Sequence, residues 1–123
     1  ICEGDYSFES GQQHAKKLLA AHPDIDGIFA CNDLMAMGAM SVLQDMGIDV
    51  PEKVRVVGFD DSLIAQTARP GLTTIRQDFN QLGEVAIELL LSDLAGTKRK
   101  KFETLKPSLI VRDSAIRIPN SRK

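Results

Sequence analysis

GIFACNDLMAMGAM, residues 27–40, decides how the chain is read. Its opening apolar run, Ile28-Phe29-Ala30-Cys31, suits a strand buried on both faces, hence a parallel sheet covered by helices with this strand at its centre. At Asn32-Asp33 the run stops, and both side chains can accept hydrogen bonds from the free N–H groups that open the next helix. The polar pair therefore falls at the carboxyl end of a strand. In open parallel sheets ligands bind there, because the chain turns and leaves a crevice. Asn32 and Asp33 are the first site candidates, with a plain helix cap as the competing role, more so for Asp33.

The helix predicted over 34–46 is apolar almost all round, through Leu34, Met35, Ala36, Met37, Ala39, Met40, Val42 and Leu43. Such a helix must be covered on every side. One side suits the sheet. A protein interface is the expected partner for the other, with adaptable methionines on it, and a helix sandwiched inside its own domain is the alternative.

A second strand repeats the pattern. VRVVGF, residues 54–59, ends in Asp60-Asp61-Ser62 much as the first ends in Asn32-Asp33, so two strands deliver carboxylate and carboxamide groups to one edge of the sheet. Around them, residues 1–2 read as the end of a strand. Ser10 with Gln13 makes a capping-box pattern opening a helix over 11–21. Residues 63–71 carry no period, 72–75 and 109–111 read as short strands, and Leu82, Val85, Ala86, Leu89 and Leu90 set a helix over 79–95. GTKRKK, residues 96–101, is a solvated basic turn, and residues 114–123 read as a frayed tail.

The 123 residues make one domain, with a formal net charge of −2 that argues against this segment gripping a phosphate backbone. No apolar run approaches the roughly 20 residues that span a bilayer. Cys2 and Cys31 sit in apolar runs as small hydrophobes, no disulfide framework is expected, and a reducing cytoplasm is the default. His14 and His22 have no ligand spacing with either cysteine, so no metal or other cofactor is expected. Neither histidine lies at a strand end beside a nucleophile, and no glycine-rich phosphate loop opens a helix. Asp5, Asp33, Asp60 and Asp61 could serve a paired-carboxylate enzyme. Acids with amides and an aromatic equally describe a sugar site, where Tyr6 covers an apolar ring face, and binding is preferred to catalysis. A phosphoacceptor domain would also need an acidic pair after the first strand and a lysine ending a later one, and neither is present.

Taken together, GDYSFESG (residues 4–11), IFACNDLMAMGAM (28–40), VVGFDDS (56–62) and PGLTTIRQDFNQLGEVAIELL (70–90) resemble the LacI/GalR family of transcriptional regulators. The resemblance implies a periplasmic-binding-protein-like fold of type I, a three-layer sandwich around a parallel sheet, with this chain as its carboxyl-terminal subdomain over 1–113. It implies that Asn32 and Asp60 bind effector hydroxyls, that Tyr6 stacks on the ligand, that Gln77 lines the cleft, and that Asp61 fixes the loop. Leu34, Met35, Met37, Gly38, Met40 and Val42, with Pro70 in the following loop, correspond to a homodimer contact. The 79–95 helix would pack on an amino-terminal subdomain, and operator DNA would be bound by an amino-terminal head, both outside this chain. The effector would be a sugar or a nucleobase, with a sugar, ribose or similar, expected. An exported sugar-binding receptor of a transport system shares the fold and is the alternative.

Overall fold

The computed structural model describes residues 1–96 and 102–116. The basic turn, apart from Gly96, and the end of the expected tail lie outside the described residues. Two compact units are defined, one of residues 1–76 with the described residues from 109 onward, the other Gln77–Ser108.

In the first unit, α1 (Phe8–Ala21) leads into β1 (Gly27–Phe29), α2 (Asp33–Asp45), β2 (Arg55–Asp60), the short α3 (Leu63–Thr67) and β3 (Thr73–Arg76). The four-stranded sheet is completed by β4 (Ser108–Ile110), in the order β1-β2-β3-β4. β1 pairs in parallel with β2, Phe29 opposite Val57, and β2 pairs in parallel with β3, Asp60 opposite Arg76. The open α/β sheet is the fold class the sequence implies. The helix of residues 63–67 was hidden in a stretch without period, because a five-residue helix is too short to show one.

β1 is not central and not doubly buried. It forms the sheet's edge in this chain, and Phe29 is 61% exposed. Its outer side borders an apolar groove of about 530 Å³ whose walls include Ile1, Cys2, Leu18, Ile28 and Phe29. Residues 1–2 do not join the sheet, and Cys31 is an exposed free thiol rather than a buried hydrophobe. In β2, Val56 and Gly58 are buried while their neighbours are half-buried, so one face of the sheet is sealed and the other is partly open.

The sealed face is closed by α2, which is covered in turn by α1. Gly38 lies against the Phe8 carbonyl and the Gln12 N–H of α1, and Gly11 of α1 lies against the backbone of Met35. A side chain at either position would force the two helices apart. Val42, Leu43, Val54, Val56 and Leu72 are sealed from solvent in the resulting core. The apolar circumference of α2 is thus answered mainly inside its own domain, where Gly38 and Val42 are buried, while Met40, 6% exposed, also lines a cleft beside Met37 and Pro70. Leu34 stays exposed, and Met35 and Met37 are half-buried.

α1 begins at Phe8, not Gly11. Ser7 caps it by accepting the Ser10 N–H, and Ser10 is buried within the first turn. Asp5 accepts from both the N–H and the hydroxyl of Ser7, which holds its carboxyl below the usual carboxylate pKa. Ser114, expected to open a frayed tail, is wholly buried. Its hydroxyl donates to the Val56 carbonyl at 2.6 Å and accepts the Thr73 N–H at 2.8 Å. Its backbone accepts the Val56 N–H and donates to the Gly71 carbonyl. A serine satisfies this narrow seam between β2 and β3 because one hydroxyl both donates and accepts.

In the second unit, α4 (Phe79–Leu94) is capped by Asp78, which accepts the Gln81 N–H at 3.0 Å. None of its residues is buried, and Leu82, Ile87, Leu90, Leu91 and Leu94 all stand exposed.

Candidate functional site at the carboxyl ends of the strands

Three parallel strands end on the same side, and each end carries polar groups. After β1, Asn32 adopts an extended backbone and caps α2, its side-chain oxygen accepting the Met35 N–H at 2.8 Å. Its amide donates to the Tyr6 carbonyl at 2.9 Å. The cap therefore falls on Asn32, not Asp33. That leaves Asn32 one further N–H and one further lone pair, since a carboxamide supplies two of each. Phe29 pairs with Val57, so Asn32, just past the end of β1, and Asp60, the last residue of β2, both fall where these adjacent parallel strands end.

Asp33 is freed for a different task. It is 1% exposed, and one of its oxygens accepts both the N–H and the hydroxyl of Ser62, at 2.7 and 2.8 Å. The other oxygen accepts the Thr74 hydroxyl at 2.6 Å. A buried carboxylate is tolerated only when several donors face it, and here they come from the ends of β2 and β3. Asp33 ties α2 to both strands and has left the list of ligand candidates.

Asp60 ends β2 half-buried, with a φ of 111°, and Asp61 follows at 55°. Two successive side-chain-bearing residues at positive φ cost on the order of 1–3 kcal/mol each and persist only where the surroundings enforce them. The enforcement is visible. Asp61 receives Arg76 Nε on one oxygen and Arg112 Nη2 on the other, both at 2.6 Å, while its side chain is 2% exposed. Burial pushes the Asp61 pKa up, the hydrogen bonds and charges of Arg112 and Arg76 push it down by more, and the net direction is down. The loop-fixing role expected of Asp61 is what the structure contains.

Tyr6 is 64% exposed and itself at positive φ, 67°, with its carbonyl held by Asn32. The structure thus brings Tyr6 and Asn32 together and places Asp60 on the same edge of the sheet. Gln77 belongs to the second unit, directly after β3. Sequence reasoning missed Thr74, Ser62, Arg76 and Arg112. The legible signal was an arginine closing each of two short apolar stretches, TTIR and LIVR. Among the described residues no group of three or more histidines, cysteines or acids is placed to hold a metal ion, and no helix is long and apolar enough to cross a membrane.

An open α/β sheet with acids and amides gathered where parallel strands end is the architecture of a small-molecule binding module. A family model described as "Periplasmic binding protein-like domain" matches residues 2–115. The HTH-type transcriptional regulator CelR of Thermobifida fusca is 36% identical over 115 residues, 93% of this chain and 34% of its own length. The lactose operon repressor of Rhizobium radiobacter is 41% identical over 107 residues, 87% of this chain and 95% of that sequence. Among solved structures, a CelR–cellobiose complex superimposes with a TM-score of 0.87 at 38% identity, covering 91% of this chain and 35% of that one. The lac repressor dimer bound to operator and the anti-inducer ONPF gives 0.88 at 35% identity, covering 94% and 40%. The chain belongs to the periplasmic binding protein-like domain family, and its relatives are LacI-family transcriptional regulators. The chain spans about a third of the length of CelR.

Proposed function

We propose that this chain is the carboxyl-terminal part of the effector-sensing domain of a cytoplasmic LacI-type regulator, extending past residue 113 to include Ser114, and that it senses a sugar without catalysing a reaction. The observation that supports the reading is that Asn32 and a conformationally strained Asp60 stand where adjacent parallel strands end, at one edge of the sheet. Asp60 accepts from sugar hydroxyls, Asn32 donates and accepts with its remaining sites, Tyr6 covers an apolar ring face, and Gln77 is a further proposed ligand contact. Hydroxyls require fixed partners of this kind because an unpaired buried polar group costs about 1–3 kcal/mol. Cellobiose in CelR and lactose in an Arthrobacter LacI-family regulator support a sugar as the effector class, and ribose remains the narrower expectation.

Effector binding acts by population shift. A ligand that favours one arrangement of the effector domain changes DNA affinity by its differential affinity for the two states. The helix α4, with its row of exposed leucines, is the surface proposed to pack on an amino-terminal subdomain. Dimerisation uses what α2 leaves uncovered. Met37 and Pro70 line a cleft of about 380 Å³ with Phe8, Ser41, Gln44 and Arg69, and Leu34 and Met35 flank the helix start.

The test is a thermal-shift screen of the full protein against pentoses, hexoses and disaccharides, followed by calorimetry on Asp60→Ala and Asn32→Ala. A sugar should raise Tm, and both variants should bind it at least tenfold more weakly while remaining folded. Undiminished affinity in both would remove this edge as the binding site.

A further inference from the structure

The chain leaves the first unit directly after Arg76 and returns to it at Leu109, three residues before Arg112. Both arginines end on one carboxylate. Asp61 therefore joins the turn that bears Asp60 to the two places where the chain passes between units. We infer that Asp61 is a positioning residue that pins both passages to the effector-binding turn, so that displacement of Asp60 is carried to them rather than absorbed locally.

The surrounding bonds make this turn a poor place to absorb movement. Its other end is held at Ser62, whose N–H and hydroxyl both reach Asp33. Thr74 ties the same network to β3, donating to Asp33 and accepting the Asp61 N–H. Arg112 is fixed independently, since its Nη1 donates to the Leu72 carbonyl and its backbone exchanges two hydrogen bonds with the Thr73 hydroxyl. Arg76 is looser, with half of its side chain in solvent. The two contacts should consequently differ in strength, the Arg112 side being the firm one and the Arg76 side the one that gives. The charged groups facing Asp61 are Arg76 from β3 and Arg112 from the segment after β4, with Asp33 one hydroxyl away through Thr74.

The relay rests on the reading of Asp60 as an effector acid, but the pin is measured with no sugar present, so the two can fail separately. Amide hydrogen exchange is followed in the full protein at pH 7, comparing wild type with Asp61→Asn. Protection over residues 72–76 and 109–114 should fall at least tenfold in the variant and stay unchanged over 33–45. The difference should close as the pH drops below 3.8, the ordinary value for this carboxyl, a profile that a packing role would not produce. Equal protection in both proteins, or a loss spread evenly through α2, overturns the inference. If Asp61→Asn fails to fold, Arg76→Gln keeps the Arg112 contact and should loosen residues 72–76 alone; no change there overturns it as well.

Discussion

At the scale of the residue, the instructive pair is Asn32 and Asp33. Sequence alone offers both as caps or ligands, because either side chain can accept from the N–H groups at a helix start. The structure separates them by burial. Asn32 half-emerges and takes the cap, while Asp33 turns inward to three donors that come from 29 and 41 residues away and are invisible to local pattern. Asn32→Ala should cost about 1 kcal/mol of stability through the lost cap, whereas Asn32→Asp keeps the capping acceptor but loses the bond donated to the Tyr6 carbonyl, so it should melt below wild type through that contact alone. Comparing the two by thermal denaturation separates the capping role from any sugar contact. Asp61 carries a pH signature. Its pKa is lowered on folding, so its contribution is fully present above the unfolded value and is lost as the pH falls through the folded one. Wild type should therefore be more stable than Asp61→Asn at neutral pH and approach it in denaturant titrations below pH 3.8.

At the scale of the element, α2 shows what periodicity can and cannot say. That the helix must be covered was legible from its composition, and most of its circumference is covered, with Leu34 exposed and Met35 and Met37 half-buried. Which partner covers it was not, because the deciding residues are glycines, whose meaning lies in what approaches them. Gly38 and Gly11 let α1 settle onto α2 at backbone distance. Gly38→Ala should push the helices apart and destabilise the fold by about 1–3 kcal/mol or more, read as a lowered denaturation midpoint. Leu43→Ala empties a fully buried site and should cost about 2–5 kcal/mol. The strands fared similarly. Their positions followed from apolar runs, but the edge location of β1 depends on pairing, which one strand's sequence does not encode.

At the scale of the whole molecule, the α/β class and the polar edge were readable because each strand repeats one grammar of apolar run, acid or amide, then helix. The network that stiffens this edge was not, since its members are scattered from residue 33 to residue 112. Association belongs at this scale too. With Val42 sealed from solvent, the proposed dimer contact narrows to the cleft lined by Met37, Met40 and Pro70. Met37→Glu in the full protein should weaken self-association by about 2 kcal/mol or more, the range of an interface hot spot, without lowering the Tm of the separated subunit. Sedimentation at graded concentrations reads this directly, and an unaltered dimer would move the contact elsewhere.

Ser114 bears on how the protein is born. Its partners lie 41 and 58 residues earlier, so the starting ends of β2 and β3 cannot be stitched together until residue 114 has been synthesised. Closures across such spans come late and slowly. A chain synthesised only as far as residue 113 would lack every one of those seam bonds, and its two strands would lie side by side without the closure that Ser114 supplies.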